Sequence, residues 1–128
     1  MRLAEDSGNR WLVKASRDLR AASALLALKP PLVDVAGFHC QQAIEKCLKF
    51  HLSRERQKIR KVHDLRALYD LAIEVGWAFP LKPSVLDHIS YCAVIVRYPE
   101  ADDGRLTKKA VSDWLKLANQ IYAYVVGE

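Results

Sequence analysis

Apolar residues recur every three or four positions through most of this chain, and that period predicts helices. The clearest stretch is Val33 to Leu52, where Ala36, Cys40, Ala43, Ile44, Cys47, Leu48 and His51 fall on one stripe. Gln41, Gln42, Glu45, Lys46 and Lys49 gather on the opposite side, with His39 at the seam. A helix with one such stripe must bury it against other helices, which predicts a central strut. Its polar side reads either as a solvated surface or as half of a binding site.

The same pattern predicts four further helices around it. Trp11, Leu12, Ala15, Leu19, Ala22, Leu25 and Leu26 form one face of a helix from about Asn9 to Leu28, stopped by Lys29-Pro30-Pro31. Met1 to Gly8 is expected to be a loose tail. Asp64 is suited to cap a helix carrying Leu65, Leu68, Ala72 and Val75, with Gly76 placed for a left-handed end. Pro83 suits the first turn of the next, whose stripe is Val85, Leu86, Ile89, Ala93 and Val96 and whose end is Tyr98-Pro99. Glu100 to Gly104 is a turn, and Thr107 caps a last helix running through Val125. No alternating strand pattern competes. The fold class expected is all-α, an antiparallel up-and-down bundle of about five helices forming one domain over residues 1–128. Trp114, Tyr122 and Tyr124 exceed what one small bundle needs, which points to a homodimer.

Composition changes this picture little. The 128 residues, 51% apolar and 27% charged, suffice for one core. A net charge of +5 leans towards anionic partners. The three cysteines lie within apolar helical patterns and read as reduced core thiols; with no leader pattern and no membrane-length apolar run, a cytoplasmic location is expected. Glycine-rich phosphate loops, a nucleophile elbow and a metal-binding carboxylate cluster are all missing from the sequence, so no cofactor is expected. Cys40, Cys47 and His51 share a single apolar stripe, which suits a core better than a zinc site, so no metal is expected either.

Four short motifs add a resemblance: W-L-x-K-A-x-x-D-L at Trp11 to Leu19, F-H-x-Q-Q-A-x-E-K-x-L-K at Phe38 to Lys49, H-D-L at His63 to Leu65, and R-Y-P at Arg97 to Pro99. In this order and spacing they resemble the HEPN domain in its small stand-alone prokaryotic form. The resemblance implies a dimerising bundle of about five helices, commonly paired with a minimal nucleotidyltransferase in toxin–antitoxin-like modules. Some HEPN proteins are metal-independent ribonucleases that use an Arg with a His four to six residues on. Here no histidine follows Arg97, so that signature is absent. What remains implied is a nucleotide- or RNA-phosphate-binding subunit. A weak ribonuclease recruiting His39 or His63, and a purely protein-binding dimer, stay open as alternatives.

The candidate phosphate ligand is Arg97, whose guanidinium fork suits phosphate, although a cation at a helix C-terminus is also favoured by the helix dipole alone. His39, Gln42 and Lys46 lie on adjoining turns of the central helix and could form a polar floor facing it; the plain alternative is a solvated row with weak ion pairs. His63 is a secondary candidate through the H-D-L motif. The basic run from Arg54 to Lys61 matches a phosphate-binding loop or simply a solvated stretch. Lys108 and Lys109 oppose the dipole in the first turn of the last helix, which an anion shared with Arg97 would relieve.

Overall fold

The computed structural model describes residues 3–55, 57 and 64–127, with side chains from Asn9 onward. Five α-helices form an up-and-down bundle, and the described residues contain no strand. They are α1 (Leu3–Ala27), α2 (Val33–Arg54), α3 (Leu65–Glu74), α4 (Pro83–Arg97) and α5 (Lys108–Gly127), with a 3₁₀ turn, Pro99–Ala101, between the last two. The expected boundaries hold to within a few residues except at the start, where α1 begins at Leu3 rather than near Asn9. Residues 3–8 contain no proline. Their single glycine costs about 1 kcal/mol in a helix, too little to stop one already propagating.

Local chemistry explains the remaining ends. Asp64 caps α3 by accepting the Arg66 amide at 3.0 Å, and Gly76 follows with φ 97°. Pro83 opens α4, and Thr107 Oγ1 accepts the Ala110 amide at 3.1 Å at the head of α5. The connector between α3 and α4 is pinned by side chains rather than by regular structure. Trp77 Nε1 donates to the Phe79 carbonyl at 2.6 Å, while the Tyr124 and Tyr69 hydroxyls accept the Ala78 and Leu81 amides.

α2 is the axis of the bundle and packs against α1, α3, α4 and α5. Its apolar stripe is wholly inside, with Ile44 and Leu48 surrounded by Leu65, Leu68, Leu86, Ile89 and Ile121. At its first turns a smaller cluster joins Ala22, Leu26, Ala36, Cys40 and Val111. Here α2, α4 and α5 approach so closely that a Cβ on Gly37 would stand 2.7 Å from Cys92 Sγ. The thiols of Cys40, Cys47 and Cys92 are free and buried, and burial pushes each up to about 12. His51 is also core: its Nε2 donates to the Val75 carbonyl at 3.1 Å and its ring meets Trp77 edge-on.

Two expectations need correction. The polar side of α2 is neither fully solvated nor an open half-site, because Gln41, Glu45 and Lys49 are only 2, 3 and 5% exposed. Neighbouring helices close over them, and burial is tolerated because they satisfy one another: Lys49 Nζ meets Glu45 Oε2 at 3.1 Å, and Gln41 Nε2 donates to Glu45 Oε1 at 3.2 Å. Trp11 covers the pair, its ring 5.5 Å from Lys49 Nζ. The aromatics of α5 are likewise used in part inside the subunit. Trp114, Tyr122 and Tyr124 are half-buried and pack on the core, and Tyr124 meets Trp77 edge-on and Phe79 at a tilt. The exposed large apolar residues include Val94, Val96 and Tyr98 at the end of α4 instead.

Candidate functional site

With Gln41, Glu45 and Lys49 inside, what α2 leaves half-exposed between α1 and α4 is a narrow ribbon: Phe38, His39, Gln42 and Lys46. The helical period splits this ribbon in two. Phe38 and Gln42 lean towards α4, whereas His39 and Lys46 lean towards α1.

On the α4 side lies a cleft of about 300 Å³ lined by Phe38, Gln41, Gln42, Ser90, Val94 and Arg97, with Ala93 and Tyr98 at its edge. Arg97 is the last residue of α4 and is exposed; it makes no ion pair with any described residue. Gln42 Nε2 donates to Gln41 Oε1 at 2.7 Å, and Gln41 in turn donates to Glu45. A hydrogen-bonded chain therefore runs from the mouth of the cleft to the buried Glu45–Lys49 pair, and it locks the amide side chains in place. Ser90 Oγ, buried in the cleft wall, has no hydrogen-bond partner among the described residues. The cleft thus combines an uncompensated guanidinium, positioned amides, a spare hydroxyl and one aromatic wall.

On the α1 side, Asp18 is 8% exposed and points at the ribbon. Its Oδ1 accepts from His39 Nδ1 at 2.8 Å and its Oδ2 from Lys46 Nζ at 2.5 Å. The carboxylate fixes the imidazole by its Nδ1–H, so that a neutral His39 carries its lone pair on Nε2. Phe38 packs edge-on against the same ring. Asp18 is not among the candidates read from the sequence; its signal there is its place within the W-L-x-K-A-x-x-D-L motif, next to Leu19 at the edge of the apolar face.

Of the sequence candidates, then, Arg97 and Gln42 share one cleft, while His39 and Lys46 stand beside it on a common carboxylate. Lys108 and Lys109 are exposed at the head of α5 and do not line the cleft; Lys109 reaches Asp113 at 3.4 Å. His63 and most of the basic run, Arg56 and Lys58 to Lys61, lie outside the described residues. A second cavity of about 270 Å³ lies between α4 and α5 and is lined by His88, Tyr91, Arg105, Leu106, Ala110 and Trp114. Its cation is already engaged: Arg105 sits over the Tyr91 ring at 4.2 Å and meets Asp103 at 2.6 Å, which holds that carboxyl below its ordinary range. Arg97 has no such counter-charge among the described residues. Among the described residues no group of three or more His, Cys, Asp or Glu is arranged to hold a metal, and no helix is long and apolar enough to cross a membrane.

An all-helical bundle organised on one enclosed helix, with a basic cleft at the end of the fourth, defines the class; comparison with known proteins supplies the family. The HEPN domain model matches residues 9–128, and the chain belongs to the HEPN domain family. Its fold is similar to the crystal structure of ST0689, an archaeal HEPN homologue, with a TM-score of 0.67 and 22% identity over 99% of this chain and 98% of that one. No curated protein matches the sequence.

Proposed function

We propose that this HEPN-family protein binds the phosphate of a nucleotide or of RNA in the cleft between α2 and α4. The observation that carries the reading is Arg97, an exposed guanidinium without an ion-pair partner among the described residues, set over hydrogen-bonded Gln42 and the unsatisfied Ser90 hydroxyl. A planar fork of donors binds phosphate oxygens in pairs, and a partly desolvated wall strengthens each contact. Phe38 offers an aromatic edge to a base. The protein acts as a homodimer alongside a minimal nucleotidyltransferase, in a toxin–antitoxin-like pair; the motifs shared with HEPN proteins support this part. Calorimetric titration with AMP tests the cleft. Arg97→Ala is expected to weaken binding at least about tenfold, the equivalent of one charge-assisted contact. Equal affinity in the variant would remove the reading.

A second reading, a weak metal-independent ribonuclease, draws support from the Asp18–His39 contact. A carboxylate that orients an imidazole prepares it to exchange a proton. Cleavage of RNA by the wild type that vanishes in His39→Ala would favour it, and no cleavage by the wild type would dismiss it.

A further inference from the structure

Some exposed cations of the described surface are paired with acids, as in Arg66–Asp87, Arg105–Asp103 and Lys109–Asp113. α1 carries a row of three that are not. Arg10, Lys14 and Arg17 are exposed, four and then three residues apart, and therefore stand on one side of the helix. None of the three forms an ion pair with a described residue. Among the described side chains of α1 the acid is Asp18, and it is turned inward to His39 and Lys46.

The row is also placed next to the site. Lys14 lies one turn from Asp18 on the same edge of α1, and Asp18 touches the α2 ribbon through His39 and Lys46. That ribbon continues through Gln42 into the Arg97 cleft. From α4 across α2 to α1, the surface thus carries Arg97, the ribbon, then Lys14, Arg10 and Arg17. Asn9 and Val13 complete the described lining of a shallow depression along the row.

We infer that this band is a track for single-stranded nucleic acid: the Arg97 cleft takes one nucleotide, and Arg10, Lys14 and Arg17 hold backbone phosphates farther along the strand. This rests on the phosphate-binding reading of the cleft and extends it from a mononucleotide to a polymer. The spacing fits. Successive cations rise about 4.5–6 Å along the helix, and long side chains adjust that to neighbouring phosphates. A strand on the band replaces three mutually repelling, unneutralised cations by three screened contacts and releases counterions.

The test is fluorescence anisotropy with labelled oligouridine, over a salt series, on the wild type, on Arg10→Glu/Lys14→Glu/Arg17→Glu, and on Arg97→Ala. AMP titration runs in parallel, and circular dichroism confirms that helix content is intact. The wild type is expected to bind a long oligonucleotide more tightly than a short one. The triple variant is expected to lose at least about tenfold in oligonucleotide affinity and about 2 from the salt slope, for three contacts at roughly 0.7 each, with AMP binding unchanged. Unchanged affinity and slope in the triple variant would overturn the track, as would competition by polyglutamate as strong as by unlabelled RNA, which would mark an acidic-protein surface. The two readings fail separately. AMP binding that persists in Arg97→Ala sinks the cleft, whereas oligonucleotide binding that survives charge reversal on α1 sinks only the track.

Discussion

Gly37→Ala is the sharpest probe of how the bundle sets its cleft. An added Cβ would lie 2.7 Å from Cys92 Sγ, 3.4 Å from Val111 Cγ2 and 3.5 Å from Trp114 Cζ3. The last two are tight or ordinary contacts; the first is about 1 Å short of a comfortable one. Cys92 has one rotatable side-chain bond and is fully buried, so either its thiol turns to another staggered position or α4 backs away from α2. Overpacking of this kind costs about 1–3 kcal/mol. Replacing a mid-helix glycine by alanine returns about 0.8–1.0 kcal/mol. The net expectation is a loss of about 1 kcal/mol, or a fall in Tm of roughly 3–5 °C for a chain of this length. A double-mutant cycle isolates the cause. With Cys92→Ala the obstructing atom is gone, so Gly37→Ala in that background should be stabilising, giving a coupling of about 1–2 kcal/mol. Urea denaturation of the four proteins measures it. If Gly37→Ala alone raises the Tm, or the coupling is near zero, the close approach of α2 and α4 is not what keeps this position a glycine. Because Ser90, Ala93 and Val94 flank Cys92 and line the cleft, a retreat of α4 should also weaken AMP binding in the single variant and spare it in the double.

Two further outcomes concern the interior. Lys49→Met removes the cation 3.1 Å from the buried Glu45 carboxylate and should cost about 3 kcal/mol in urea denaturation, while Glu45→Gln/Lys49→Met, which removes both charges and keeps an acceptor for Gln41, should recover most of it; a loss under about 1 kcal/mol in the single variant would contradict the buried-pair account. The thiols of Cys40, Cys47 and Cys92, raised from an ordinary value near 9 to about 12, make stability fall with alkali. Between those values the unfolded chain releases thiol protons that the folded chain retains, so the stabilisation is whole below pH 9 and is lost as pH rises towards 12. At pH 10 each thiol should contribute a loss of up to about 1.4 kcal/mol, and Cys47→Ala should flatten the fall between pH 8 and 10; identical slopes in variant and wild type would refute it.

Most of the architecture could be read from the linear chain because helix formation here is local. The 3.6-residue period of Ala36, Cys40, Ala43, Ile44, Cys47 and Leu48 identified the buried axis. Asp64, Gly76, Pro83 and Thr107 marked ends through interactions with amides or dihedrals within a few residues. Arg97 was legible as a candidate through the R-Y-P motif that resembles HEPN proteins, since its place at a helix end has a local explanation of its own, and Gln42 because it shares a polar edge with His39 and Lys46.

What the linear chain could not assign was the partner of each polar group, since that depends on which helix closes over it. Gln41, Glu45 and Lys49 have the periodicity of a solvated face, and only the packing of neighbouring helices and Trp11 around α2 turns them into an internal network. Asp18 has the spacing of a surface acid on α1, yet twenty-one and twenty-eight residues later His39 and Lys46 complete it. Periodicity specifies which way a side chain leaves its own helix, and the tertiary arrangement decides what it meets there. Burial and charge compensation, which determine where an anion can be held, belong to that second step.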